Sequence, residues 1–320
     1  AVGQEEGDDQ HRHARADADA VSRVVGPGTR CVVVGGGLLG LELVAALRAL
    51  GAECRLIHRS GQLMGRQLDA TASQFLAEEL MERGVTLHLN DSIASIHGDG
   101  KLQGVRTQNG SYFPCDAAFF ATGTTPNIGL ARNASLPCRR GILVDDGMRT
   151  HDPDIFAIGE IAEHEHRCYG TTPAAQAQAL VAAAQLAGDT WTRYSGNISF
   201  NVLKFKGLSL CTMGDAGVDT GAPGYEEIVL LDRSERLYQK CIVRQNRLVG
   251  AILYGDTAPM AELKALIESQ LELDESRRRL LRGTGPAREP LEGPLVCSCN
   301  QVGEGNLLRA LKQGCDSLEA

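Results

Sequence analysis

Several things are scarce in this chain, and each scarcity narrows what it can be. Aromatic residues make up 4 % of it, yet hydrophobic content is an ordinary 43 %, so 320 residues suffice for two or three domains with a buried core. Positive charge is in deficit: a formal net charge of −8 leaves nucleic acid or an anionic membrane surface without electrostatic support. No apolar run approaches membrane-spanning length, and no signal peptide is visible. There is no C-x-x-C redox pair. Cys31, Cys54, Cys115, Cys138, Cys168, Cys211 and Cys241 stand alone, which suits a reducing cytoplasm rather than a disulfide scaffold. Only Cys297 and Cys299 are clustered. No initiating methionine opens the chain, and the last residues break off inside a helical pattern, so both ends read as cut.

What is present is concentrated in the run Cys31-Val32-Val33-Val34-Gly35-Gly36-Gly37-Leu38-Leu39-Gly40. Four β-formers predict a strand buried on both faces. Gly35 permits a tight turn, Gly37 lets backbone approach phosphate, and Gly40 lets helix and strand pack closely. Leu39, Leu43, Leu47 and Leu50 follow at helical spacing, Gly51 stops the helix, and Cys54 to Ile57 makes a second apolar strand. Strand, glycine loop, helix and strand in that order predict a dinucleotide site, with the pyrophosphate on the helix N-terminus. The bland alternative is a glycine-rich turn in another α/β fold.

One further absence bears on which dinucleotide. NAD sites place an acid about 20 residues beyond the glycines, on the ribose 2′-hydroxyl. Here that place holds His58 and Arg59, with Arg66 nearby. A carboxylate would repel a 2′-phosphate, whereas arginine can bind one bidentately. The expectation is that NADPH is accepted at least as well as NADH; the alternative is a solvated basic turn.

Further along, 70–83 reads as an amphipathic helix, 85–89 as a strand, and 93–97 with 102–107 as antiparallel strands, with a hairpin turn at Asn109-Gly110. Residues 115–121 return to the sheet, giving a βαβαβ core with a β-meander before its last strand. Ala121-Thr122-Gly123 crosses between domains, 141–144 and 150–160 read as strands, and Pro173 opens an alanine-rich helix over 171–187. Residues 197–253 alternate like strands, and 258–271 read as a helix. His164-Glu165-His166 and the pair His11 and His13 read as solvated rather than metal-binding.

The glycine loop with Glu42, the Ala121-Thr122-Gly123 turn and the run Thr150 to Glu160 resemble, in order and spacing, the two-dinucleotide flavoprotein reductases. Leu63-Met64 with Gln67-Leu68-Asp69, Gly214-Asp215, and the tail from Val296 to Glu304 are similar to the flavin electron-transfer part of assimilatory nitrite and nitrate reductases. The resemblance implies an α/β fold: a Rossmann-like NAD(P)-binding domain with a β-meander (30–121), the second part of a FAD-binding domain (122–192), a small α+β C-terminal reductase domain (193–273), and the start of a helical iron–sulfur module (295–320). Residues 1–29 and 274–294 are then linkers.

The resemblance also implies roles. Glu42 would lie near the nicotinamide; Thr122, Gly123 and Gly159 would line cofactor, and Glu160 would bond the FAD ribityl chain unless it serves as an N-cap. Thr172 and Pro173 would open a helix toward the flavin pyrimidine, whose dipole favours an anionic reduced flavin by about 0.3–1 kcal/mol. Cys297 and Cys299 would supply two of the four thiolates of a 2Fe–2S cluster, the other pair lying beyond the end of this chain. No FAD glycine loop precedes Gly35, so the chain is expected to be a fragment that binds NAD(P)H detectably and FAD poorly. Its partners would be a nicotinamide nucleotide and an electron-accepting domain or subunit with a sirohaem or molybdenum centre, for which no pattern is visible here. The alternatives are a stand-alone NAD(P)H:rubredoxin or ferredoxin reductase, and a non-catalytic NAD(P)-sensing or partner-binding module.

Overall fold

A computed structural model describes residues 21–274, 277, 280–281, 291–297, 302–312 and 315. The histidines at 11 and 13, Cys299 and most of the 1–29 and 274–294 segments lie outside the described residues. The chain divides into two compact units, one combining the residues up to Thr122 with those from Ser199 onward, the other Gly123–Ile198.

The first unit begins with the strand–helix–strand run. Strand β1 (Arg30–Val34) leads through the glycines into helix α1 (Leu38–Ala49), followed by β2 (Glu53–His58), helix α2 (Ala70–Glu82) and β3 (Thr86–Leu89). Strands β4 (Ile93–Gly98), β5 (Leu102–Thr107) and β6 (Tyr112–Pro114) form the antiparallel meander, and β7 (Ala117–Phe120) returns to the parallel sheet, ordered β3-β2-β1-β7. Strand β1 is central and its residues 31–34 are buried, which is why they read as a continuous apolar run. Asp69 caps α2, its carboxylate accepting from the Ala72 N–H at 3.0 Å.

The same unit carries a five-stranded antiparallel sheet ordered β11-β12-β15-β14-β13: β11 (Phe200–Val202), β12 (Leu210–Gly214), β13 (Tyr225–Asp232), β14 (Leu237–Arg244) and β15 (Arg247–Tyr254), with helix α5 (Met260–Ser269). One apolar core serves both halves. Leu41, Val44, Leu47, Phe75, Leu76 and Leu80 cluster with Leu203, Phe205, Leu210, Tyr238, Ile252 and Tyr254. Phe75 stacks on Tyr254 with ring centroids 5.6 Å apart. At its end, β16 (Leu295–Cys297) pairs with β17 (Val302–Gly303) ahead of helix α6 (Glu304–Lys312).

The second unit has little regular structure. Helix α3 (Gly129–Asn133), the short strands β8 (Ile142–Leu143), β9 (Ala162–His164) and β10 (Arg167–Cys168), and helix α4 (Thr172–Leu186) surround two small cores. Two expectations are corrected here. Residues 150–160 do not form a strand: Asp152, Pro153 and Asp154 fold into a turn closed by the Thr150 hydroxyl, leaving a single bridge between Arg149 and Phe156 and a 3₁₀ turn at Gly159–Ile161. Nor is His164 solvated. It ends β9 fully buried, its Nε2 2.9 Å from Asp146 and its ring edge-on to Tyr194, while Glu165 and His166 turn the hairpin at positive φ.

Candidate nucleotide site

Every strand of the parallel sheet ends at the same edge, and the glycine loop lies there. The Gly35 N–H donates to Ile57 O at 2.9 Å, and the Ala121 N–H to Val34 O at 2.8 Å, so the loop is tied to the ends of β2 and β7. Gly35 sits at φ +121°, and a Cβ on it would lie 2.2 Å from the Ala121 carbonyl oxygen. A Cβ on Gly40 would lie 1.9 Å from the Gly35 oxygen, so only glycine lets α1 settle on the loop. Gly37 differs: nothing stands within 4 Å of where its Cβ would be, and as N-cap it gives α1 no side-chain acceptor. The first amides of a twelve-residue helix therefore open onto free space at a strand–helix turn, which is how an anionic pyrophosphate is cradled.

His58 holds the loop rather than reaching outward. Its Nδ1 accepts the Gly36 N–H at 3.1 Å, and its ring and Leu63 fill the space over Gly36. The acceptor role requires a neutral ring. Burial pushes the imidazole below its ordinary range, the Gln62 backbone pulls it up, and the Arg59 charge pushes it down again. The Gly36 carbonyl is taken as well, by the Met64 N–H at 2.8 Å. Arg59 and Arg66 are both exposed, the first directly after β2 and the second two residues beyond Met64.

Glu42, expected near a nicotinamide, has a partner in the C-terminal half. Its Oε1 accepts the backbone N–H of Lys204 at 3.1 Å, joining α1 to the C-terminal half. Sequence reasoning gave no role to Met64, Gln62, Tyr238 or Lys240. The Leu63-Met64…Asp69 pattern was the available signal, but its partners stand some 170 positions away: Tyr238 and Lys240 lie 169 and 171 residues from Asp69.

Thr122 and Gly123 are exposed where the two units meet in sequence, with Gly123 at φ +102°. In the second unit, Gly159 sits at φ +79° and donates its N–H to Gln178 Oε1 at 2.7 Å. Glu160 is exposed and does not cap α4, whose N-cap is Thr171 with no side-chain hydrogen bond; Thr172 and Pro173 form the exposed first turn. Cys297 is part-buried on β16. Among the described residues no group of three or more His, Cys, Asp or Glu could hold a metal ion.

Residues 2–179 match the pyridine nucleotide-disulphide oxidoreductase family, and residues 200–271 match the rubredoxin NAD+ reductase C-terminal domain. The chain belongs to the pyridine nucleotide-disulphide oxidoreductase family. Its relatives include the nitrite reductase [NAD(P)H] of Bacillus subtilis, 33 % identical over 91 % of this chain and 37 % of that protein. The assimilatory nitrate reductase electron transfer subunit of the same organism is 31 % identical over 90 % of this chain and 38 % of its own length. The chain thus spans little more than a third of these curated relatives. A ferredoxin reductase from Rhodopseudomonas palustris superposes with a TM-score of 0.64 at 26 % identity, covering 73 % of this chain and 58 % of that one. A water-forming NADH oxidase from Lactobacillus brevis shares the fold with a TM-score of 0.72 at 20 % identity, covering 93 % of this chain and 70 % of that one.

The family implies FAD. The second unit's residues fit part of such a group: an exposed carboxylate at Glu160, a glycine whose Cβ would meet only the Ala175 methyl at 4.0 Å, and an uncapped helix start. The thiols do not fit a complete 2Fe–2S centre, since Cys297 and Cys299 are two donors where four are needed. No described helix is long and apolar enough to cross a membrane.

Proposed function

We propose that this chain is the nicotinamide-oxidising part of a flavoprotein reductase serving assimilatory nitrite or nitrate reduction. The observation that carries the reading is the open face at Gly37, where uncapped helix amides meet space that a side chain would have filled. The nitrite and nitrate relatives, aligned over nine-tenths of the chain, supply the direction of the electrons.

The residues divide the work. The amides at the start of α1 hold the pyrophosphate, with Gly35 and Gly40 fixing the approach of loop to helix. His58 and Met64 hold the Gly36 peptide between them, so the loop needs no rearrangement on binding. Arg59 and Arg66 present cations toward the 2′ position of the adenosine ribose, where an acid would repel a phosphate. Glu160 would accept from a ribityl hydroxyl, and the start of α4 would offer its amides to the flavin pyrimidine. When bound, FAD supplies the conversion of a two-electron hydride donor into single-electron steps. The acceptor would be a redox domain or subunit with a sirohaem or molybdenum centre.

A second reading, a stand-alone NAD(P)H:rubredoxin or ferredoxin reductase, draws on the match at 200–271 and the ferredoxin reductase likeness. Titration of the chain with NADPH and NADH, followed by nicotinamide fluorescence, tests the shared core of both. Binding of both, NADPH at least as tightly, is expected, and Gly37→Val abolishes it. Absence of binding overturns the proposal, and strict preference for NADH overturns its 2′-phosphate component.

A further inference from the structure

The segment between β2 and α2, residues 60–69, is tied down at both ends. At one end the Met64 N–H donates to Gly36 O at 2.8 Å, with Met64 itself at φ +48°. Internally, Gln67 and Leu68 donate their N–H groups to Met64 O, and Gln62 Nε2 donates to Leu68 O at 2.5 Å. At the other end the C-terminal sheet takes hold. Tyr238 Oη donates to Asp69 Oδ2 at 2.5 Å, and Lys240 Nζ lies 3.2 Å from the same oxygen and 2.8 Å from Glu227. Between the ends, Gly217 presses on the Arg66 peptide so closely that a Cβ there would stand 2.2 Å from Arg66 O.

Lys240 and Tyr238 are almost wholly buried. A buried ammonium is retained only where its charge is met, and here two carboxylates meet it. A surface ornament would not justify that arrangement. Its geometric consequence is that the backbone carrying Arg66 is held by the C-terminal half as well as by the glycine loop and the helix it leads into.

We infer that Tyr238 and Lys240 are positioning residues for nucleotide selection: through Asp69 they hold the strap that places Arg66 and clasps the glycine loop. The inference rests on the reading of Arg59 and Arg66 as 2′-phosphate ligands. The C-terminal sheet is then a part of the nucleotide site although none of its side chains is assigned to the nucleotide.

The test is a double-mutant cycle in the full chain, with NADPH and NADH as probes and affinity read from nicotinamide fluorescence. Tyr238→Phe is expected to weaken NADPH about fivefold and NADH less than about twofold; in an Arg66→Gln background its effect on NADPH shrinks to that of NADH, because coupled sites are non-additive. Amide exchange of nucleotide-free protein is expected to quicken across 60–69 while α2 is unchanged. Asp69→Asn, whose Oδ1 keeps the helix cap while its Nδ2 faces Tyr238 Oη and Lys240 Nζ, is expected to repeat the Tyr238→Phe pattern more strongly. Equal weakening of both nucleotides, an effect undiminished by Arg66→Gln, or unaltered exchange at 60–69 overturns the inference. Should Arg66→Gln alone leave NADPH affinity unchanged, the phosphate reading fails and this inference with it. A strong Arg66→Gln effect beside a silent Tyr238→Phe overturns this inference alone.

Discussion

Two helices in this protein begin in the same way, at a small-residue turn with no side-chain cap, yet they end up in very different surroundings. Helix α1 buries Gly40, Leu41, Val44 and Leu47 in a core shared with the C-terminal sheet. Helix α4 is mostly alanine, and its Leu180 and Leu186 remain about 70 % exposed, at 72 % and 71 %. The loop before α1 is over-determined: Gly35, Gly36 and Gly40 each touch fixed atoms, and only Gly37 faces space. Around α4 the nearby Gly159, whose N–H donates to Gln178 on that helix, has room where its Cβ would be. The lesson is that two uncapped helix starts differ in what surrounds them: before α1 every glycine but Gly37 meets neighbouring atoms, so a single face is left open.

The contrast is broken most severely at the glycines. Gly35→Val combines a positive φ with a Cβ driven into the Ala121 carbonyl. It should cost about 4 kcal/mol of stability and abolish NAD(P)H binding. Gly159→Ala carries only the backbone strain, about 1–2 kcal/mol, since its Cβ has room. It should leave NAD(P)H affinity unchanged. Chemical denaturation with paired fluorescence titrations checks both. Equal effects at the two glycines would erase the distinction drawn between the loops.

Core substitutions sharpen the comparison next. Leu76→Ala removes a fully buried side chain from the shared core and should cost about 3 kcal/mol. Leu180→Ser, on the exposed face of α4, should shift stability by no more than about 0.5 kcal/mol. Thermal melts would report the difference. A large loss at Leu180 would mean that α4 packs its exposed face in solution.

The third prediction concerns selection. Arg59→Glu places a carboxylate where a 2′-phosphate would sit, and should weaken NADPH about tenfold, some 1.4 kcal/mol, while NADH changes little. Parallel losses for both nucleotides would show that Arg59 acts on the shared part of the site instead.

How much of this was legible beforehand follows the same contrast. The run from Cys31 to Gly40 was readable because its requirements are local: a strand period, turn glycines and helix spacing within ten residues. The meander was readable from Asn109-Gly110. The segment 150–160 was misread as a strand because Phe156, Ala157 and Ile158 are apolar, while the Asp-Pro-Asp turn ahead of them decides the conformation. His58 was placed correctly at the end of its strand, but that its ring turns back onto Gly36 depends on packing by Leu63, which has no local signature. Tyr238, Lys240 and the Glu42 bond to Lys204 join positions more than 160 residues apart, beyond the reach of any spacing rule.

The smallest expected effect tests His58. The ring must be neutral to accept the Gly36 N–H, and protonation would set one donor against another. Charged and titratable groups about it are Arg59 beside it, and Asp91, whose N–H bonds the His58 carbonyl. Burial would raise the Asp91 carboxyl, but Thr107, its partner His88 and the backbone N–H groups of Ser92 and Asn109 outweigh that and hold it at about 2. Asp91 therefore keeps its charge across the range in which His58 titrates. Because burial lowers the folded-state value of His58, its contribution is fully present above the ordinary imidazole value of about 6.5. It is lost as pH falls through the lower folded value, where protonation releases the loop. NADH affinity should therefore drop about threefold on acidification, the worth of one modest hydrogen bond. NADH is the better probe, because it carries no 2′-phosphate to titrate alongside. His58→Asn, which keeps an acceptor that does not titrate, should flatten the profile. An unchanged slope in that variant would assign the pH dependence to another group and leave His58 as packing alone.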